Sequence, residues 1–444
     1  MRLKRHLLIG LAICLTLVLA IGASKSFAQG ADLLDILKQR GVITEEEFQE
    51  LKGRQAERAA QRNFEVGFDK GFFIRSPDKR HQLKFGVQIF EHLTVLPEDS
   101  EEDTTFRLRR GRVTLSGRLF KDFTYKVEFD GTADPVIDES AYLGYERFKP
   151  FKVRFGQRKD PFGGEKLYSR YKQFFIERTM ISDNLTPGTQ RGVWFLGDLF
   201  NKKLSYDVSV TNGAGRAEDN NGDKDFTGRL IWRPFRDSGM QDILPLEIGG
   251  NFNIGRQPFS SKGAQTKLFL RDNRMVIFNA STEGLRVRGG GDIFYNKDYK
   301  HGRVSLIGEF IWQQNEREGP VLTGTGTLPK NADTVVRYGW NLSGGALLLG
   351  SRKKNGLEFV ARVEQIDADD SGNNGGADEL VGQKLTTYGL GLNFWPYSQL
   401  RFSANGFIFD FDQATDLASA DPFEQEGTTY GVLFAAMLKF KGAN

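Results

Sequence analysis

The chain has 444 residues, enough for two or three ordinary domains or for one large β-barrel. Its 61 basic residues exceed its 57 acidic ones only through Arg2, Lys4, Arg5 and Lys25; from residue 29 onward the signs balance, which excludes bulk charge as a route to nucleic acid or acidic partners. The single cysteine, Cys14, excludes disulfides and thiolate metal sites from everything after it.

Residues 1–28 come first in chain order. Three early cations precede the apolar run "LLIGLAICLTLVLAIGA", and the small-residue site "SFA" ends at Ala28. This pattern predicts a signal peptide rather than a membrane anchor, with an exported chain starting near Gln29. Cys14 sits inside the apolar run in "LAIC", without the small residue that a lipidation site needs before it. No later run reaches the roughly 18 apolar residues of a transmembrane helix. A hydrophobic fraction of 39% looks soluble, yet a transmembrane β-barrel scores the same way because only alternate residues face lipid.

Residues 29–63 have helical character. Thr44 and Glu47 in "TEEE" make a capping box, and "FQELKGRQAERAAQR" lacks β-branched residues. The segment reads as a short helical hairpin or coiled-coil leader in the periplasm, or else as a polar leader without a fixed fold.

From residue 64 to the end the period is two. "FTYKVEFD" sets Phe123, Tyr125, Val127 and Phe129 against Thr124, Lys126, Glu128 and Asp130, and the pattern recurs through "KLSYDVSVT", "RVSLIGEFIW", "LEFVARVE", "LRFSANGFIFD" and "YGVLFAAMLKF". Short connections such as 120–122, 147–150, 296–300, 350–355 and 396–399 alternate with polar ones at 97–104, 131–138, 159–190, 212–225, 257–284, 314–333, 367–383 and 411–426. Eight long loops imply an all-β fold: a sixteen-stranded antiparallel transmembrane β-barrel over residues 64–444, with turns periplasmic and loops outside. A soluble β-protein is the alternative, but it would need a second core to sustain so many strands. Trp194, Trp232, Trp312, Trp340, Trp395, Tyr430 and Phe440 are expected to point outward as interfacial girdles.

A barrel of this size encloses water, so the polar face of each strand lines a lumen. Arg112, Arg118, Lys126, Arg154, Arg158, Arg191, Arg229, Arg286, Arg288, Arg337, Arg362 and Arg401 give that lining a basic excess over Glu128, Asp207, Asp292, Glu309 and Glu358. Clustered arginine in a pore lining favours anions, and its fork matches oxyanions, unless each cation merely pairs with a neighbouring carboxylate. In "FRLRRGRVTLSG" the alternation slips at Arg109–Arg110, which suggests a β-bulge that aims both into the lumen. Loop 159–190 is aromatic-rich; Phe162, Tyr168, Tyr171, Phe174 and Phe175 suit a loop folded inward against the wall, carrying Lys166, Arg170, Lys172 and Arg178 with it.

At this loop the sequence resembles the phosphate-selective porins of the O and P type. The matching stretches are "FRLRRGRVTLSG", "VEFD", "AYLGYERFKPFKVRFGQRKDPFG", "EKLYS…IERT" and "LTPGTQRGVWF". The resemblance implies a trimeric outer-membrane channel of a Gram-negative bacterium whose third loop builds a phosphate site. It implies anion binding at Arg109, Arg110, Lys166, Ser169 and Arg178, with Arg112, Arg154, Arg158, Arg170 and Arg191 lining the lumen. Partners would be phosphate, polyphosphate or other small anions, outer-membrane lipid and lipopolysaccharide, and two further copies of the chain. Arg170 and Tyr171 depart from the smaller polar residues expected after Ser169, and the chain ends "FKGAN" rather than on an aromatic.

No enzyme is expected, nor any cofactor. His81, His92 and His301 lack metal-ligand spacing, and "EDNNGDKD" (218–225) lacks the bidentate Glu of a calcium loop; "DADDSGNNGGADE" (367–379) reads as a solvated loop, with cation or lipopolysaccharide-linked metal binding as the alternative. Two other functions stay open: a broader anion or nutrient diffusion porin, and a structural or adhesive outer-membrane protein.

Overall fold

The computed structural model describes residues 37–38, 40–62, 64–68, 71–96, 104–132, 137–238, 245–268, 276–299, 302–316, 322–323, 326–327, 334–369, 383–411 and 427–440. The signal-peptide reading of residues 1–28 lies outside them. The chain divides into two units, Met1–Phe64 and Glu65–Asn444.

In the first unit, helix α1 (Glu45–Arg62) begins at the expected capping box: the Thr44 N–H donates to Glu47 Oε2 at 2.9 Å and the Glu47 N–H to Thr44 Oγ1 at 3.2 Å. Glu45, Glu46 and Glu47 put negative charge where the helix dipole favours it. The turn before α1 reverses on Gly41 at φ 67°, with Gly41 N–H to Lys38 O and Val42 N–H to Leu37 O both at 3.0 Å. These two bonds form a Schellman stop after Leu37–Lys38. Phe48 is buried beneath the Lys38 and Lys52 ammonium groups.

The second unit is built from one eighteen-stranded sheet. Its strands are β1 (Glu65–Phe68), β2 (Phe72–Arg75), β3 (Gln82–Val95), β4 (Thr104–Leu119), β5 (Phe123–Asp130), β6 (Ile137–Tyr145), β7 (Lys152–Lys159), β8 (Thr189–Leu199), β9 (Leu204–Thr211) and β10 (Asp225–Trp232). They continue with β11 (Glu247–Lys267), β12 (Val276–Tyr299), β13 (Gly302–Asn315), β16 (Val335–Ser351), β17 (Lys354–Asp369), β18 (Gln383–Tyr397), β19 (Leu400–Phe411) and β20 (Gly427–Phe440). Two-residue strands β14 (Leu322–Thr323) and β15 (Gly326–Thr327) pair with each other in one loop.

Sixteen of the eighteen close on themselves. From β3 to β20 each strand pairs antiparallel with the next, and β20 returns to β3 with Phe440 opposite Val87 and Val432 opposite Val95. The first part of β3, Gln82–Phe85, lies beyond the end of β20 and is paired instead by the β1–β2 hairpin. Phe68 of that hairpin meets Phe440 edge to face at 5.8 Å.

The alternation decides which face meets which solvent. In β20, Leu433, Ala435 and Met437 are buried inward while Tyr430 and Phe434 are exposed outward. Phe106, Phe155 and Leu390, at 75%, 68% and 60% exposed, belong to the same apolar outer face, which is what lipid rather than water accepts. The turn at Phe120–Lys121 has φ of 50° and 71°, the left-handed pair that matches hairpin twist.

Three expectations need correction. Most of the expected loop 257–284 is strand, because β11 and β12 pair out to Lys267 and Val276 through bulges. Trp194 and Trp395 point inward, at 0% and 2% exposed, rather than into an outer girdle. The Trp194 indole N–H donates to Asp160 at 3.3 Å, and Trp395 packs edge-on against Tyr171 at 5.1 Å. Arg191 follows from the first of these: it shares the phase of Val193 and Phe195, opposite Trp194, and its Nε donates to Gln157 at 2.8 Å. It therefore does not line the lumen.

Candidate functional site

The β7–β8 connection, residues 160–188, carries α2 (Gly164–Leu167), a 3₁₀ turn (Arg170–Lys172) and α3 (Met180–Asn184). Phe162, Phe175, Ile176, Ile181 and Leu185 within it are fully buried in one cluster with the inner wall. Phe175 meets Phe407 at 5.5 Å, and Tyr168 stacks on Phe294 at 5.5 Å. Glycines on the wall make room: a Cβ at Gly389 would stand 2.9 Å from the Phe175 ring, and one at Gly345 3.0 Å from Phe174.

Buried backbone needs partners, and the wall provides them. The Ile176 N–H donates to Asn405 Oδ1 at 2.8 Å and the Met180 N–H to Glu364 at 2.6 Å. Arg401 donates to the carbonyls of Tyr171, Gln173 and Phe174 at 3.3, 2.6 and 2.8 Å. Arg362 holds Glu165 at 3.1 Å, and Glu165 in turn accepts from the Thr179 N–H and hydroxyl at 3.0 and 2.5 Å. The root of the loop is tied where Asp160 accepts from Ser209 and Thr227, both at 2.6 Å; burial pushes its carboxyl up to about 6. The loop is thus fastened across the lumen to β12, β13 and β16–β20.

Opposite, between the loop and β3–β7, lies a cavity of about 450 Å³. Nine cations line it, Arg110, Arg112, Lys126, Arg154, Arg158, Lys159, Lys172, Arg178 and Lys439, against only Glu128 and Glu139. Their commitments differ. Arg112 is held by Asp130 at 2.7 Å, Glu139 at 2.6 Å and Glu128 at 3.4 Å, so its charge is spent locally. Arg154 pairs with Glu146 and Arg158 with Asp207, each at 2.7 Å. The Lys159 ammonium donates to the Lys166 carbonyl at 2.9 Å and that of Lys439 to the Ser169 hydroxyl at 2.7 Å; neither of these bonds neutralises a charge. Lys172 is exposed and makes no side-chain hydrogen bond or ion pair among the described residues.

The residues expected at an anion site are only partly brought together. Arg110, Ser169 and Arg178 line the cavity, as do Arg112, Arg154 and Arg158. The β3–β4 register shifts between Phe90 and Glu91, where Phe90 faces Arg110 and Glu91 faces Leu108. Arg109 is the extra residue of that bulge, so it and Arg110 both leave the lipid face. Arg110 then lies over the Phe90 ring, whereas Arg109 turns to Glu177 at 2.8 Å, outside the cavity lining. Lys166 is tied to Asp183 at 2.8 Å. The Arg170 side chain lies outside the described residues.

Lys439 was missed in the sequence. Its signal was there: it is the one cation of its strand and follows Leu433, Ala435 and Met437 in the inward phase. Of the calcium-like runs, 218–225 places Asp219 on Lys224 at 2.7 Å and the buried Asp225 on Arg286 at 2.7 Å; residues 370–382 lie outside the described residues.

Porin O of Pseudomonas aeruginosa is 25% identical over 197 residues, which is 41% of this chain and 43% of that protein; the match therefore spans less than half its length. Among solved structures, outer-membrane expressed OmpT of Vibrio cholerae covers 81% of this chain and 98% of its own at a TM-score of 0.53 and 13% identity. The outer membrane channel DcaP of Acinetobacter baumannii covers 81% and 97% at 0.52 and 11%. The anion-selective porin from Comamonas acidovorans covers 81% and 99% at 0.50 and 11%. These likenesses share the barrel fold. The family model for phosphate-selective porin O and P matches residues 82–421, from the first strand of the closed barrel into its last loop, so the chain is an outer-membrane β-barrel that belongs to that porin family.

Proposed function

We propose that this protein is a passive outer-membrane channel for small anions, with phosphate or polyphosphate favoured, and that residues 160–188 form its constriction. The observation that carries the reading is the basic lining of one cavity, nine cations to two carboxylates, which keeps a cationic excess after Arg112, Lys126, Arg154 and Arg158 are paired with carboxylates in and behind it. Long-range attraction from the basic lining would raise the local anion concentration. At the cavity an oxyanion would exchange water for donors from Arg110, Lys172, Arg178 and Lys439, several weak sites that release it onward. Residues 1–28 would be removed on export and residues 29–63 would stand in the periplasm. Three copies would associate through the outer wall, amid lipid and lipopolysaccharide. The family match, the curated relative Porin O and the cavity charge support this reading over a closed structural or adhesive barrel.

The test is the zero-current potential of the purified protein in a planar bilayer under a potassium chloride gradient. The expected sign is that of chloride permeation, with the chloride current reduced by added phosphate. Chloride permeation that phosphate leaves unchanged would instead favour the general diffusion porin, and an absence of channels the structural protein.

A further inference from the structure

The cavity is much larger than an inorganic phosphate. Its 450 Å³ equals the share of about fifteen waters and falls in the range of sites for organic ligands. A compact ion held by the loop cations would leave the β5–β7 side of the space to water.

That side carries an aromatic ring beside a fixed guanidinium. Tyr142 of β6 lines the cavity, and the Arg154 guanidinium lies over its ring at 5.1 Å. Glu146 fixes the same guanidinium through Nε at 2.8 Å and Nη2 at 2.7 Å, so the plane is held in place before any ligand arrives. Across the cavity stand Ser169, Lys172, Arg178 and Lys439, the groups suited to a dianionic head. Tyrosine rings and guanidinium groups both have planar faces on which another planar group can stack.

We propose that the cavity recognises organic phosphomonoesters with a planar ring: the phosphoryl group meets the loop cations and the ring lies against the Tyr142–Arg154 platform. This rests on the anion-channel reading above and goes further by naming a ligand class. The phosphoryl end supplies the charge the lumen selects, and the ring fills space that inorganic phosphate cannot reach.

Block of the chloride current should be titrated with inorganic phosphate and with phenyl phosphate, on the full chain in planar bilayers. Phenyl phosphate is expected to block about tenfold more tightly than phosphate, the size of one stacking contact. In Tyr142→Leu the ratio between the two should fall close to one; in Tyr142→Phe, which keeps the ring, it should persist. Equal or weaker block by phenyl phosphate in the unaltered protein overturns this inference while the phosphate channel stands. A tenfold ratio that survives Tyr142→Leu also overturns it, since the platform would not be the cause. If neither anion blocks and the potential has the sign of cation permeation, it is the channel reading itself that falls.

Discussion

Arg401→Ala is expected to widen the channel and weaken its anion preference. The side chain is fully buried and holds the carbonyls of Tyr171, Gln173 and Phe174, with Asn393 at 2.7 Å beside it. Removing it leaves three buried acceptors with fewer donors; Asn393 still donates to the Phe174 oxygen at 2.8 Å. Each buried carbonyl left without its charged donor costs about 1.5–3 kcal/mol. That cost falls on the docking of residues 160–188, because the strand register does not depend on these bonds. Single-channel conductance should rise, and the zero-current potential should move toward zero as Lys172 and Arg178 leave the proposed constriction. Arg401→Lys, which keeps a charge but loses the fork, should lie between. Unchanged conductance and selectivity in the alanine variant would show that this arginine does not hold the constriction.

The second large effect is expected from Arg178→Ala. Arg178 is buried at the cavity, with Asp183 at 3.8 Å and the Tyr168 carbonyl at 3.4 Å among its contacts. Because it lines the cavity, its guanidinium can present a charged donor to an oxyanion there. Its loss removes a charged hydrogen bond of about 1.5–3 kcal/mol, so half-maximal phosphate block should require roughly ten- to hundredfold more phosphate. Lys166→Ala should do less, because that ammonium is already engaged by Asp183 at 2.8 Å. The contrast separates a direct donor from a residue that shapes the loop. An equal loss in both variants would point to the loop's fold rather than to the donor.

The barrel could be read from the sequence because strand after strand carries its own evidence of period two, and eight long connections imply sixteen strands. Phase was harder. Trp194 looked like an outward girdle residue, and reading it so turned Arg191 inward; a shift of one residue moves every side chain of a strand to the other face. The indole instead points inward to Asp160, a partner 34 residues away that local pattern cannot supply. The bulge at Arg109–Arg110 was visible as a slip in the alternation, but its outcome was not. Only the placement of Glu177, 68 residues later, separates Arg109 from Arg110. The anchors of residues 160–188 were likewise hidden. Asn393, Asn405, Arg401 and Glu364 look in sequence like any polar residue facing a lumen, and become specific only when loop carbonyls and amides stand opposite them.

The central claim is that an oxyanion binds between residues 160–188 and the β3–β7 wall. The most direct measurement is anomalous diffraction from crystals of the full chain soaked in arsenate, a heavier isostere of phosphate. The account predicts an arsenic peak in the cavity, within hydrogen-bond distance of at least two of Arg110, Lys172, Arg178 and Lys439. A cavity without arsenic in crystals that bind it elsewhere in the lumen would contradict it.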